Sequence, residues 1–181
     1  SFSLVAVLPF MWGVVSSLKE RRQLFLIPAR FLPESLFMGN YTRLLSSGFL
    51  NSVINSTIVS LGAVLIVAVL GVMSAYSLAR FRFRGSSIVL GLIIGCMMVP
   101  GLANLVPTYM VMSTLGMIDT YTGLLIAYVV LNLPMAIWIM RGFFQTLPSE
   151  LEQAAMVDGC SRFQCMYKIM IPIAKPGLSA M

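Results

Sequence analysis

Long stretches without a charged residue dominate the chain. Positions 1–18, 44–79, 85–118 and 120–140 contain no Asp, Glu, Lys or Arg. A helix needs about 20 mostly apolar residues to cross the hydrocarbon core of a bilayer. Three of these stretches reach that length and the first is nearly long enough, so the pattern predicts transmembrane spans.

The same stretches do not alternate between apolar and polar residues, as the strands of a membrane barrel do. Residues 64–72 (VLIVAVLGV) and 88–95 (IVLGLIIG) are apolar throughout. Helices satisfy their own backbone hydrogen bonds in lipid, which suits unbroken apolar runs. We therefore predict an all-α fold, a polytopic transmembrane helix bundle, rather than a barrel.

Prolines and polar residues mark the expected boundaries of the spans. We predict a single transmembrane domain over residues 1–181, with spans at about 1–18, 51–79, 87–112 and 121–140. Pro100-Gly101 and Pro107 are expected to interrupt the third span, because proline removes a helical hydrogen bond. The sequence starts inside one apolar run and stops as another begins, so we expect truncation at both ends.

The distribution of charge gives an orientation. The chain carries a net charge of +6, with its charged residues in or near the gaps between spans. Basic loops are retained in the cytoplasm, so this charge does not require a nucleic-acid partner. Three arginines lie within 80–85 and no basic residue lies in 113–120, so we place 80–85 and 141–176 in the cytoplasm. The five basic residues of loop 19–50 count against this placement.

Signatures of catalysis and of metal binding are missing from the sequence. Histidine does not occur, and neither does HExxH, GxSxG or GxxxxGK[ST]. We therefore expect no enzyme activity, no metal site and no cofactor bound by this chain. The cysteines Cys96, Cys160 and Cys165 are interpreted as free thiols, because disulfides are rare in the cytoplasm.

Neutral polar residues are the candidates for lining a passage through the spans, and we select Asn104, Tyr109 and Asn132. Asn104 is the strongest candidate because it lies beside the broken stretch 100–107. Non-helical backbone at membrane depth is tolerated beside protein or a cavity. Any of these residues could equally hold helices together by hydrogen bonds.

Small residues recur at helical spacing on two spans. Gly71, Ala75 and Ala79 share a face of the second span, and Gly91 and Gly95 form a GxxxG on the third. Such faces let helices approach closely in lipid. We interpret both as packing faces within one bundle rather than as a dimerisation motif.

The polar segment after the fourth span predicts two short helices joined by a turn. Ser149-x-x-Glu152 after Pro148 is typical of a helix start with a capping box. Asp158-Gly159 ends that helix because glycine readily takes positive φ. Ser161-x-x-Gln164 begins a second helix that ends near Pro172. Residues 147–172 are thus predicted as a helix–turn–helix outside the membrane, either a surface connector or a docking lever for a partner.

The spacing within this segment carries a family resemblance. Gln153-Ala154-Ala155 is followed after three residues by Gly159 and after nine more by Ile169-Met170-Ile171-Pro172. The pattern resembles the EAA loop of permease subunits in binding-protein-dependent ABC importers, with Gln153 in place of glutamate and Ile171 in place of leucine. The first change removes a charge, and Glu152 is a candidate to compensate for it in part.

The resemblance covers nearly the whole chain. Four stretches are similar to the carbohydrate-uptake branch of the family, the group of the smaller maltose permease subunit: residues 51–85, which end in AYSLARFRFRG, and residues 99–101 (VPG), 115–120 (LGMIDT) and 133–144 (LPMAIWIMRGFF). Permeases of this kind usually have six spans, so the last two are expected to be missing here. The family places its EAA loop in the cytoplasm, in agreement with the orientation above.

The resemblance implies an ATP-driven importer in the bacterial inner membrane, with this chain forming part of the pathway for a sugar or a similar solute. The implied partners are a cytoplasmic ABC ATPase dimer that holds ATP and Mg²⁺, a second permease subunit, an extracytoplasmic solute-binding protein and the lipid bilayer. The residues expected to form the ATPase-coupling loop are Glu152, Gln153, Ala154, Ala155, Asp158, Gly159, Arg162, Ile169 and Pro172. The alternative function is a passive channel or pore, which would not need the helix–turn–helix of residues 147–172.

Overall fold

The computed structural model describes residues 2–27, 30–81 and 83–179 of the chain. The first residue of the predicted first span, Pro28 of the polar loop and Arg82 of the basic cluster lie outside these residues. The chain divides into two compact units, Ser1–Ser56 and Thr57–Met181. The prediction of one permease domain with four spans stays a prediction.

Every regular element in the described residues is helical, which confirms the all-α fold class for this part of the chain. The helices are α1 (Phe2–Ser17), α2 (Arg21–Leu24), α3 (Gly39–Ser46), α4 (Phe49–Arg80), α5 (Ser86–Met98), α6 (Leu105–Thr114), α7 (Tyr121–Thr146), α8 (Glu150–Val157), α9 (Arg162–Cys165), α10 (Ile171–Ile173) and α11 (Lys175–Ser179). A 3₁₀ turn, Gly101–Asn104, precedes α6, and a π-helical turn, Met166–Met170, follows α9.

Among the described helices, α4 and α7 are long and apolar enough to cross a membrane. Their 32 and 26 residues extend about 48 and 39 Å at the helical rise per residue. Both lengths exceed the hydrocarbon core of about 30 Å. α4 coincides with the predicted second span, and α7 contains the predicted fourth span but continues past its expected end at 140 to Thr146. The shorter apolar helices α1 and α5 correspond to the predicted first span and to the first part of the third.

The predicted third span is divided, but only one of its two expected interruptions occurs. α5 ends at Met98, and α6 begins at Leu105 after the 3₁₀ turn, so the break lies at Pro100-Gly101 as expected. Pro107 lies in the first turn of α6, where a backbone N–H has no partner within the helix. The prediction that Pro107 interrupts the span is wrong, because proline costs little in a first turn.

In the first unit, the polar loop folds against the end of α1. Lys19 is only 2% exposed, and its Nζ donates to the Arg30 carbonyl at 2.6 Å and lies 4.7 Å from the centre of the Trp12 ring. The Asn40 side chain donates to the carbonyls of Ser17 and Lys19, each at 2.9 Å. A buried ammonium needs such partners, so these contacts fix the conformation of the loop.

The second unit packs around buried apolar side chains from the C-terminal halves of α4 and α7, from the π-helical turn and from the residue that follows α10. We call this set the core cluster; its members are Val72, Ala75, Tyr76, Leu78, Ile137, Met140, Phe144, Met166, Met170 and Ala174. The Tyr76 and Phe144 rings meet edge to face, with their centres 5.7 Å apart. Edge-to-face contacts of this kind are favoured by the charge distribution of aromatic rings.

The two predicted small-residue faces have different environments. Gly71 and Ala75 are buried, so the face on the second span packs within the second unit as predicted. A Cβ added at Gly91 or Gly95 would meet no atom within 4 Å. The structure therefore does not support the interpretation of the GxxxG pair as a packing face of the described bundle.

Two glycines of α7 provide a matched test of the packing. A Cβ at Gly123 would lie 2.2 Å from the backbone oxygen of Met117, whereas a Cβ at Gly142 would meet nothing within 4 Å. We expect Gly123→Ala to destabilise the protein by about 1–3 kcal/mol, as forced overpacking does. Gly142→Ala should be neutral or stabilise by up to about 1 kcal/mol, because alanine favours helix over glycine.

The measurement is thermal unfolding of each variant in detergent, in a background with Cys96 and Cys160 replaced by serine, so that a thiol-reactive dye reports exposure of the buried Cys165. Equal midpoints for the two variants would contradict the close contact before α7.

Candidate functional site

The segment after α7 forms two helical stretches that meet at a tight turn, and we call residues 150–170 the hairpin. At the end of α8 the Cys160 N–H donates to the Ala155 carbonyl at 2.9 Å, and the Gly159 N–H donates to the Met156 carbonyl at 3.1 Å. These two bonds form a Schellman motif, which requires a residue with positive φ. Gly159 supplies it with φ of +84°, as glycine does without strain.

Of the two predicted capping boxes, one forms. Ser161 Oγ accepts from the Gln164 N–H at 3.3 Å, and Gln164 Oε1 accepts from the Ser161 N–H at 2.7 Å. Ser149 makes no capping hydrogen bond at the start of α8. The prediction of a capping box at Ser149 is wrong because the Glu152 side chain is held elsewhere, as described next.

A buried ion pair joins α8 to the end of α4. Arg80 Nε lies 2.8 Å from Glu152 Oε1, and the side chains are only 11% and 10% exposed. Arg80 Nη2 also donates to the Leu147 carbonyl at 2.9 Å. The Tyr76 hydroxyl, one helical turn before Arg80, lies beside the same carboxylate. The family pattern has a glutamate at the exposed position of Gln153. Because the Glu152 side chain points into the protein, its negative charge does not compensate for the missing charge on the exposed surface.

The small pair of the predicted coupling loop is split between two environments. Ala155 is buried, whereas Ala154 and Gln153 are exposed. The pair therefore does not present one small face to a partner. Ala155 instead contributes to the closed side of the hairpin, where the Cys165 thiol lies 3.9 Å from the Glu152 carbonyl.

The other predicted coupling residues lie along the hairpin and just beyond it. Asp158 is exposed at the end of α8. The Arg162 guanidinium lies 5.1 Å from the centre of the Phe81 ring, a cation–π contact between the start of α9 and the residue after α4. Ile169 is half-buried, and Pro172 is exposed.

The second stretch of the hairpin changes helical register before this proline. The Ile171 N–H donates to the Met166 carbonyl, five residues earlier. Pro172 has no N–H to offer an α-helix, and the wider π turn lies in the residues before it. The helical path continues to the end of α10 at Ile173, close to the predicted end near Pro172.

The three predicted pathway residues lie on separate elements. Asn104 is half-buried at the end of the 3₁₀ turn, and Tyr109 is exposed on α6. Asn132 is exposed on α7 and donates to the Tyr128 carbonyl of its own helix at 2.8 Å. No hydrogen bond joins these three residues in the described part of the chain, so the pathway assignment stays a prediction.

Large apolar side chains of the hairpin face outward. Val157 is 87% exposed at the end of α8, and Phe163 and Tyr167 are 64% and 66% exposed on the following stretch. The opposite side of the same stretch inserts Met166 and Met170 into the core cluster. The hairpin is thus anchored on one side, and its outward side carries large apolar side chains among polar ones such as Gln153 and Asp158. Exposed apolar side chains rimmed by polar residues are common where a protein binds a partner.

Arg80 and Tyr76 were not among the residues predicted for this site. A signal for them exists in the sequence, because residues four apart lie on one helix face. Both fall at the end of a charge-free span, where an arginine that faces the bundle needs an acidic partner. The sequence does not show which of the six acidic residues is that partner.

The sequence profile of the family described as "Binding-protein-dependent transport system inner membrane component" matches residues 68–181, which include the C-terminal part of α4, all of α7 and the hairpin. The chain belongs to this family. The resemblance noted from the EAA-like spacing is thereby confirmed.

Individual proteins to which the chain is similar are also named as permeases. The sulfoquinovosyl glycerol transport system permease protein SmoH of Agrobacterium fabrum is 32% identical over 94% of this chain and 60% of its own length. The trehalose transport system permease protein SugB of Mycobacterium tuberculosis is 32% identical over 96% of this chain and 63% of its own length. The chain therefore spans about three fifths of the length of these permeases.

A solved structure shares the fold. A chain in the crystal structure of a bacterial ABC transporter involved in the import of the acidic polysaccharide alginate matches with a TM-score of 0.83 at 27% identity. The match covers 99% of this chain and 63% of that chain. The agreement extends the family relationship from the sequence to the arrangement of the helices.

The capping difference within the hairpin can be measured. Ser161→Ala removes a formed capping bond and should destabilise the protein by about 0.5–2 kcal/mol. Ser149→Ala, at the start of α8, removes no such bond and should leave the thermal midpoint in detergent unchanged. A larger loss from Ser149→Ala than from Ser161→Ala would contradict the described hydrogen bonds.

The hairpin cysteines should differ in reactivity. Burial raises the pKa of the Cys165 thiol, with further contributions from Cys160 and Glu152, so less thiolate is present at neutral pH than for an ordinary thiol. N-ethylmaleimide at pH 7 should therefore alkylate the half-buried Cys160 well before Cys165, and the rate at Cys165 should rise as the pH is increased.

Trypsin cleaves at Arg162, between the two cysteines, so mass spectrometry of the peptides separates the two rates. In sodium dodecyl sulfate the rates should converge. Equal rates in the folded protein would show that Cys165 is not protected.

Proposed function

We propose that this chain is the permease subunit of an ATP-driven importer of the bacterial inner membrane and forms part of its solute pathway. Membership of the family and the likeness to a chain of a bacterial ABC transporter involved in alginate import support this function. The proposed partners are a cytoplasmic ABC ATPase dimer, a second permease subunit and an extracytoplasmic solute-binding protein. ATP and Mg²⁺ bind on the ATPase, and this chain performs no hydrolysis.

The hairpin is the proposed docking element for the ATPase. The observation that carries this assignment is its exposed apolar surface, with Val157, Phe163 and Tyr167 outside the long apolar helices. Burying such side chains in a cleft of a partner is favourable by about 25 cal/mol per Å² of apolar area removed from water. Met166 and Met170, which pack into the core cluster, hold the second stretch of the hairpin against α4 and α7.

The docking contact proposed here relies on shape and apolar area more than on charge. Gln153 is exposed where the family pattern has glutamate, and the neighbouring Glu152 is committed to Arg80. The amide of Gln153 still offers hydrogen-bond donors and an acceptor to a partner. Orientation of the turn depends on Gly159, whose positive φ disfavours any residue with a Cβ.

The proposed solute is a sugar or a sugar derivative. SmoH and SugB are named for sulfoquinovosyl glycerol and trehalose, and the matching solved structure for alginate, all of them carbohydrates. Neutral hydrogen-bonding side chains suit a solute rich in hydroxyl groups. Asn104, Tyr109 and Asn132 are proposed to line its pathway in the assembled transporter.

A passive pore is the alternative, and the family relationship does not favour it, because the family is defined by binding-protein-dependent transport. A pore would also have no use for a hairpin that is anchored on one side and exposes Val157, Phe163 and Tyr167 on the other. Purification of the permease from its native membrane without any accompanying ATPase would favour the pore.

A single exposed residue tests the docking surface. Val157→Asp should leave the fold intact, because the side chain is 87% exposed. A carboxylate placed in an apolar contact should weaken ATPase binding by about 2 kcal/mol or more, the size of an interface hot spot, which is roughly 30-fold in affinity. The measurement is the amount of ATPase that co-purifies with the tagged permease.

Ser46→Asp is the control, since it adds the same group at an exposed position of the first unit, in a loop predicted to lie on the other side of the membrane. It should retain the ATPase. Normal recovery of the ATPase with Val157→Asp would refute docking through this end of α8.

A further inference from the structure

The Arg80–Glu152 ion pair links α4, which is long enough to cross the membrane, to α8, which belongs to the proposed docking hairpin. Arg80 is the last residue of α4, a helix long and apolar enough to cross the membrane. Glu152 lies in the first turn of α8, the first helix of the proposed docking hairpin. The 2.8 Å contact between the two side chains is therefore a connection between the bundle and the docking surface.

Each charged atom depends on the other. Neither Arg80 Nε nor Glu152 Oε1 makes a hydrogen bond in the described part of the chain, so the ion pair is what compensates each atom, and both side chains are about nine-tenths buried. A shift of α8 along α4 would leave a guanidinium and a carboxylate buried without an opposite charge, since their other contacts, with the Leu147 carbonyl and the Tyr76 hydroxyl, are to neutral groups. That penalty is much larger than the loss of an apolar contact, so the pair restricts α8 to one position.

Further contacts make this position specific. Arg80 Nη2 donates to the Leu147 carbonyl at 2.9 Å, just before α8 begins, so a single guanidinium holds both the approach to the helix and its first turn. The apolar contacts of Met166 and Met170 are less selective, because methionine side chains adapt to small shifts of their neighbours. The second stretch of the hairpin is thus packed, whereas α8 is fixed by charge.

We propose that Arg80 and Glu152 are positioning residues that make α8 and the end of α4 move as one body, so that docking of the ATPase at the hairpin is transmitted into α4. This inference rests on the proposed function, because it assumes that the ATPase docks at the hairpin. The two residues contact neither the ATPase nor the solute; they set the position of the surface that does.

Hydrogen–deuterium exchange separates docking from transmission. The permease in lipid nanodiscs is measured alone and with its ATPase, ATP, Mg²⁺ and vanadate. Peptides covering residues 150–157 report docking, and peptides covering residues 72–81 report transmission into α4. In the unaltered protein, both peptides should change their exchange when the ATPase binds, since amide exchange reports local opening of each segment.

In Glu152→Gln and in Arg80→Ala, the change at 150–157 should persist and the change at 72–81 should be lost. Glu150→Gln is the matched control, because it removes an exposed carboxylate from the same first turn of α8. It should retain both changes. Arg80→Lys keeps the positive charge and should restore much of the change at 72–81.

A double variant separates positioning from stability. Replacing a buried ion pair by apolar residues of similar volume is often neutral or stabilising, so Arg80→Met with Glu152→Met should fold even where a single variant does not. Two methionines do not fix a position, so this variant should dock the ATPase and still lose the change at 72–81. A merely structural role predicts the opposite, with the change at 72–81 recovered along with stability.

The outcomes distinguish the two proposals. If the unaltered permease shows no change at 150–157 with the ATPase, docking at the hairpin is wrong, and the inference is wrong with it. If the unaltered protein shows both changes and the double variant also keeps both, the ATPase docks as proposed but the ion pair does not transmit its binding.

Discussion

The packing of the hairpin against the ends of α4 and α7 is the constraint on which the rest of the second unit depends. Tyr76 from α4 and Phe144 from α7 meet edge to face, and Met170 from the π-helical turn is fully buried in the same cluster. Apolar side chains of this size exclude water, and their burial is what makes a neighbouring charge costly unless it is paired. The core cluster therefore creates the environment in which Arg80 and Glu152 must find each other.

The ion pair and the apolar contacts of the hairpin contribute differently to its packing. Apolar contacts provide most of the stabilisation but little selectivity for position, whereas a buried ion pair provides little net stabilisation and much selectivity. The hairpin has both, with Met166 packed inward, Glu152 paired inward and Val157 exposed. The proposed docking of an ATPase and the proposed transmission of its binding into α4 would require both a surface that binds and a fixed connection to α4.

Local sequence patterns predicted the elements that depend on local physics. The apolar stretches gave α4 and α7, because a backbone in lipid has to satisfy its own hydrogen bonds. Asp158-Gly159 gave the turn, since the Schellman motif requires positive φ at one position, and Ser161-x-x-Gln164 gave a capping box whose two bonds lie within four residues. The EAA-like spacing of residues 153–172 predicted the family to which the chain belongs. Each of these depends on residues close together in the chain.

The tertiary structure decided what each polar residue does once the helices pack. Ser149-x-x-Glu152 has the same local pattern as Ser161-x-x-Gln164, yet its glutamate turns away from the cap, because Arg80 offers an ionic partner from a helix about seventy residues earlier. Ala154 and Ala155 are adjacent residues of the same type, and only the packing of the hairpin leaves Ala154 exposed and Ala155 buried. The sequence by itself thus determined the class, the family and the turn at Gly159. The pairing of Glu152 was decided by tertiary structure, since a buried charge is stabilised by whichever opposite charge the fold brings to it.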